Sequence, residues 1–419
     1  MHFSGNLTKI AQFDGFFITT RSVSGVKGAN QPPGRFGTGR FRYTIFEGFM
    51  RVSALNTWLL KRGLTLPPAV LRFLAGGGVV HDQGQTLDPQ IQFLWRALFT
   101  NPAGQARLSL TGKSLENVRA EWQETAALFG LPDDIRVRFE AIGGEGASLG
   151  GVAPISGLLI RPVHISEDAP LLVFFHQGGS VIGGPGLSKA FCALLAHNAR
   201  GPVFLPDYRL APLNRFPAAL EDARAAYDWA ALNATRLGAK SGRTAIGGSL
   251  TGAGLALRIS LDLKRDFKPM PAGQLLITPL ADLADPAIRA SAAKAGEAPT
   301  QWPLSVADLD LMISHYAGAG TSLSDPRLSP ALEKLIVGQP KTFIVSAGFD
   351  PLAVQAEAFA KRLIAARITV LYRRYDTLPL GFDLFAGVVD EVRRATRDIA
   401  ENWVDLLRNG QAESARDAA

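Results

Sequence analysis

Four short segments of this 419-residue chain carry groups able to do chemistry. His176-Gln177-Gly178-Gly179 puts an imidazole, an amide and two glycine N–H groups side by side. Gly247-Gly248-Ser249-Leu250-Thr251-Gly252 offers two hydroxyls in a glycine-rich setting, and Asp350 and Asp383 add carboxyls further on. A serine that attacks a carbonyl needs a base to take its proton, a group to orient that base and N–H donors for the oxyanion. Ser249 has no histidine near it in the sequence, so a structural hydroxyl stands beside nucleophile as its reading. Asp383 reads as a proton-transfer group or as a negative charge at a helix N-terminus. His164, His197 and His315 lack partners at metal-ligand spacing, and the single Cys192 builds neither a thiolate site nor an internal disulfide. No metal and no cofactor are expected.

These segments lie at the ends of short β-rich runs. From Asp134 onward the chain alternates such runs with helical patterns: DIRVRFEAI, ISGLLIRP, LLVFF, PVFLP, RTAIGG, QLLIT, TFIVSAG and ITVLYRRY make eight strands. The pattern predicts an α/β fold with a mostly parallel, doubly wound eight-stranded sheet. Ligands of such sheets bind beyond the carboxyl ends of the strands, where the four segments fall. The expected organisation is an N-terminal extension and helical cap over residues 1–130, a core over 131–408 with a cap insertion at 283–330, and a disordered tail over 409–419. Trp302 and Tyr316 of the insertion read as pocket-lining aromatics or as the cap's own small core.

Hydrophobic residues make up 47% of the chain and charged ones 19%, which excludes a wholly disordered or coiled-coil protein. The net charge of +7 is scattered without a basic run interleaved with aromatics, so no nucleic-acid partner is expected. The N-terminus lacks the basic and apolar regions of a signal peptide, and the sequence has no stretch of roughly 18 apolar residues. With one cysteine, a cytoplasmic location is the expectation. The apolar, moderately basic segment 41–78 reads as a cap helix pair, with a helix making peripheral membrane contact as the alternative.

The segments His176-Gln177-Gly178-Gly179, Asp207-Tyr208-Arg209-Leu210-Ala211-Pro212 and Asp350-Pro351-Leu352, in that order, resemble the hormone-sensitive-lipase-like carboxylesterase branch of the α/β-hydrolases over roughly residues 85 to 405. The resemblance implies an α/β-hydrolase fold, a nucleophile elbow between strand and helix, and a triad. With Gly248 and Gly252 as the elbow's flanking glycines, Leu250 falls at the nucleophile position; the other register puts Ser249 at the tip but replaces the second glycine by Thr251. The first is preferred because it keeps both close-packing glycines. After the last strand the branch has a histidine where this chain reads Leu380, whereas Asp350 matches the triad acid. The resemblance also implies an oxyanion loop at His176, Gln177, Gly178 and Gly179, completed by the N–H of Thr251. Asp207 and Arg209 are expected to hold their loop by ion pairing. Edge-strand dimers among relatives bring in a homodimer as an option.

Three functions compete. The leading one is a pseudoenzyme that binds a small hydrophobic or ester-like molecule, or a partner, in a pocket floored by Leu250 and Leu380; gibberellin receptors, similar to this branch, also lack the working histidine. The second is a lyase or cyclisation enzyme using Asp350 or Asp383 for proton transfer. The third is carboxylic ester hydrolysis through Ser249.

Overall fold

The computed structural model describes residues 10–13, 16–19, 54–82, 84–96, 98, 109–110, 112–143, 155–294 and 306–417. Strands β1 (Ile10–Phe13) and β2 (Phe16–Thr19) pair antiparallel within a unit of residues 1–42; residues 43–419 form a second unit. In the larger unit, helices α1 (Ala54–Leu64) and α2 (Pro68–Leu74), the hairpin of β3 (His81–Asp82) and β4 (Gln85–Thr86), and helices α3 (Pro89–Trp95) and α4 (Leu115–Phe129) precede the main sheet. Two hairpins therefore stand in the region expected to be an N-terminal extension and helical cap. FFIT in β2 is aromatic and β-branched, which favours extended backbone, and Gly84 at φ +81° turns β3 into β4.

The main sheet contains all eight expected strands: β5 (Val137–Ile142), β6 (Gly157–Pro162), β7 (Leu171–Phe175), β8 (Val203–Pro206), β9 (Thr244–Ser249), β10 (Gln274–Ile277), β11 (Thr342–Phe349) and β12 (Val370–Pro379). Their order across the sheet is β12-β11-β10-β9-β7-β8-β6-β5, and β6 alone runs against the direction of the other seven. The connecting helices are α5 (Pro185–Ala199), α6 (Ala218–Leu232) and α7 (Thr251–Arg265), then α8 (Ala287–Lys294) and α9 (Val306–Ala317) in the insertion, α10 (Ala353–Ala365) and the C-terminal α11 (Asp390–Asp417). Trp302, singled out in the sequence, lies outside the described residues. The tail expected to be disordered from 409 instead continues α11 to Asp417. Gln411, Ala412, Glu413, Ala415 and Arg416 are good helix formers, and the isolated Gly410 costs only about 1 kcal/mol.

Every residue of β7 and of β9 is buried, as a parallel strand covered on both faces requires. Register assigns the faces. Val173 pairs with Phe204, so Phe174 points the opposite way from Phe204. Phe174 meets Phe191 of α5 at 5.7 Å between ring centroids, and Phe204 meets Trp229 of α6 at 5.8 Å, so the two helices cover opposite faces. On β9, Gly247 pairs with Phe174; Ser249, two residues on, shares the α5 face.

The tightest point is the junction of β9 with α7. A Cβ on Gly248 would overlap the Gly252 carbonyl, and one on Gly252 would overlap the carbonyl oxygens of Phe175 and His176. Gly252→Ala is expected to cost about 1–3 kcal/mol by overpacking against backbone that cannot retreat. Gly63→Ala, at a half-buried position of α1 with nothing within 4 Å, should instead gain roughly 0.5–1 kcal/mol. Urea titration of the two variants checks the opposite signs.

Candidate active site

The chain turns at Leu250, between β9 and α7, with φ 54° and ψ −117°. A side chain at positive φ costs on the order of 1–3 kcal/mol, and the surrounding backbone holds the turn in place. The Leu250 N–H donates to the Ile277 carbonyl at 3.0 Å, while its own carbonyl accepts from Gly254 at 3.2 Å and Leu280 at 3.1 Å. Leu250 is the residue at positive φ that joins the strand to the helix. Ser249 is still strand. Its side chain is fully buried on the α5 face, and its hydroxyl donates to Asp383 Oδ1 at 3.0 Å.

Leu250 and Leu380 line one cavity together with Gln177, Gly178, Gly179, Thr251 and Gly381, and it encloses about 70 Å³. Leu380 follows β12 and is tied to the end of β11 by its N–H on the Phe349 carbonyl at 3.0 Å. The remaining wall is apolar: Trp95 of α3, Trp122 of α4, Ile182, Leu187, Leu280, Met312 of α9, Leu384 and Phe385. Sequence reasoning missed these. An aromatic or Met on an amphipathic helix looks the same whether it faces core or cavity, so no local signal was available to find them.

The glycine loop is held from outside the cavity. Arg119 of α4 donates to the carbonyls of Val181 at 2.9 Å and Ala211 at 2.7 Å, and Gln123 donates to that of Gly183 at 2.9 Å. His176 does not join the cavity wall. It is fully buried, stacked on Tyr208 with centroids 4.2 Å apart, and its Nδ1 lies 2.8 Å from the Gln177 carbonyl oxygen. Burial lowers its pKa to about 4, so the ring is neutral and serves the loop. The N–H of Gly179 does reach the cavity but is already engaged, donating to Thr251 Oγ1 at 3.1 Å.

Asp383 likewise stands behind the wall. Fully buried, it accepts from Ser249 on one oxygen and from Gln177 Nε2 on the other at 3.2 Å, and that pairing turns it away from any ligand. Asp350 is also buried outside the wall; its Oδ1 accepts the Leu352 N–H at 2.8 Å and its Oδ2 has no hydrogen-bond partner. Arg209 pairs not with Asp207 but with Asp222, through two contacts of 2.7 Å. Tyr316 of the insertion packs edge-on against Phe216, which lies between β8 and α6, at 6.0 Å, and does not line the cavity. Among the described residues no group of His, Cys, Asp or Glu could hold a metal ion, and no helix is long and apolar enough to cross a membrane.

This fold and turn define an α/β-hydrolase, and the profile of the alpha/beta hydrolase fold family matches residues 172–384: the chain belongs to that family. It is 32% identical over 375 residues to the carboxylic ester hydrolase LipN of Mycobacterium tuberculosis, covering 87% of this chain and 92% of LipN. It is 32% identical over 241 residues to an ethyl acetate hydrolase of Pseudomonas putida, covering 56% of this chain and 74% of that protein. Among solved structures, an esterase of the archaeon Pyrobaculum calidifontis superposes with a TM-score of 0.62 at 26% identity, covering 73% of this chain and 98% of the esterase. An esterase from the bacterial hormone-sensitive lipase family superposes with a TM-score of 0.61 at 25% identity, covering 72% and 95%. The chain thus has a hormone-sensitive-lipase-like carboxylesterase fold.

Burial raises the pKa values of Asp350 and Asp383 to about 7 each, against backbone and Ser249 hydrogen bonds that lower them. In the folded protein both carboxyls hold a proton that the unfolded chain, at a pKa near ~3.9, has already released. Their contribution to stability is therefore present at low pH and is lost as pH rises from about 4 through 7, by up to about 1.4 kcal/mol per pH unit for each group. Asp350→Asn and Asp383→Asn should flatten that decline. Urea unfolding of parent and variants at pH 5 and pH 8 measures it.

Proposed function

We propose that this chain is a non-hydrolytic member of its family that binds a small, neutral, largely apolar molecule at the end of the sheet. One observation carries the reading: Leu250 at the turn after β9 and Leu380 after β12 both line the cavity, while Ser249 is still strand, fully buried, with its hydroxyl committed to Asp383. Neither leucine can attack a carbonyl or relay a proton, and the members of a triad do not act independently. The cavity's ~70 Å³ is about half the roughly 150 Å³ in which an apolar protein cavity holds benzene, so a short alkyl group fits its dimensions. Its apolar wall favours a neutral ligand over a charged one, because burying an unpaired charge is costly.

The names of the relatives favour a second reading, carboxylic ester hydrolysis, for which Ser249 is the available hydroxyl. For Ser249 to act it must leave Asp383 and reach the cavity without an imidazole to take its proton. Purified protein should hydrolyse p-nitrophenyl acetate and butyrate only at the buffer rate and resist labelling by a serine-directed phosphonate. The Leu250→Ser/Leu380→His double variant, which places an imidazole near Asp350, is expected to gain about 10²-fold or more over the parent. Turnover in the parent that disappears in Ser249→Ala would make it an esterase.

A further inference from the structure

The cavity wall is apolar except at Gln177, Thr251 and the Gly178-Gly179 backbone, and the hydrogen bonds among these groups give it a definite polarity. The Gly179 N–H, which could have met a carbonyl oxygen of a ligand, donates instead to Thr251 Oγ1. That hydroxyl keeps its own proton to donate. The Gln177 amide is pinned through Nε2 to Asp383, whose other oxygen is held by Ser249, and the pinning turns Oε1 the opposite way. Oε1 comes to 3.2 Å from the point where a Cβ on Gly381 would stand, and Gly381 itself lines the cavity. The wall thus presents an amide oxygen, which only accepts, beside a hydroxyl that can donate.

We propose that the cavity selects an alcohol over an ester or ether, with the ligand's O–H donating to Gln177 Oε1, its oxygen accepting from Thr251 Oγ1 and its short alkyl chain packed on Leu250 and Leu380. The inference rests on the ligand-binding reading above and names its ligand class. An ester offers two acceptors and no donor; against Gln177 Oε1 it leaves buried acceptors facing each other, whereas an alcohol satisfies both partners. Thr251 and Gln177 are thus specificity-determining residues.

Two isomers of the same size separate the possibilities: 1-butanol, which donates and accepts, and methyl propyl ether, which only accepts. Both are titrated into the 419-residue protein at pH 8.5, where Asp383 is ionised and holds the Gln177 Nε2 donor, with the leucine methyl resonances as readout. 1-Butanol should bind at least roughly tenfold more tightly than the ether, the weight of one well-made hydrogen bond. Gln177→Met should remove that preference. Equal affinities for the two isomers in the parent, or a preference for the ether, overturn the alcohol assignment and leave ligand binding standing. A preference that survives in a folded Gln177→Met variant also overturns it. No shift with either isomer overturns the ligand-binding reading as well. The comparison of isomers on the parent needs no variant, so a misfolded Gln177→Met does not decide the question.

Discussion

The site depends on one close approach, that of the turn after β9 to the end of β7. Gly252 sits against the carbonyl oxygens of Phe175 and His176 with no room for a Cβ, and Gly248 sits against Gly252 in the same way. That contact fixes the position of Leu250 and starts α7 immediately behind it. It also brings the loop after β7 within hydrogen-bond reach of α7, so that Gly179 can meet the Thr251 hydroxyl. Move the turn outward by the radius of a methyl group and the floor of the cavity and its only polar corner separate.

Side-chain direction follows from the strand ladder. Residues of β9 alternate between faces, so Ser249 faces α5 because Gly247 does, and the residue after it is released from the ladder to stand at the end of the sheet. A hydroxyl at position 249 and one at position 250 would therefore have different environments: the first inside the protein beside a carboxyl, the second in the cavity. The buried carboxyls show the same separation. Asp383 has two donors and organises Gln177, whereas Asp350 keeps one oxygen without a partner, and burial raises the pKa of both.

The relatives are ester hydrolases by name, and the fold is theirs; a fold, however, carries many chemistries, and the side chains at its site decide among them. This chain has a sharp turn after β9 and a glycine loop held by the side chains of Arg119 and Gln123. Leu250 and Leu380 both line a cavity whose remaining wall comes from elements distant in sequence.

The amino-acid sequence by itself determined the sheet and where its loops converge. Eight runs of β-branched and aromatic residues alternating with amphipathic stretches are local signals, and all eight became strands of one sheet. The two glycines four residues apart, Gly248 and Gly252, were also legible as a close-packed turn. Local pattern could not say which way side chains lead once the backbone folds back on itself. That Asp383 turns inward to Ser249 and Gln177, that His176 stacks beneath Tyr208, and that Trp95, Trp122 and Met312 close the cavity are contacts between residues far apart in the chain. The helical continuation to Asp417 and the early hairpins were missed for a related reason: short segments have weak intrinsic preferences, and neighbours or chain continuity settle them. Spacing in the sequence constrains neighbours along the chain; only the tertiary structure, by bringing distant segments within a few ångströms, decided which groups meet.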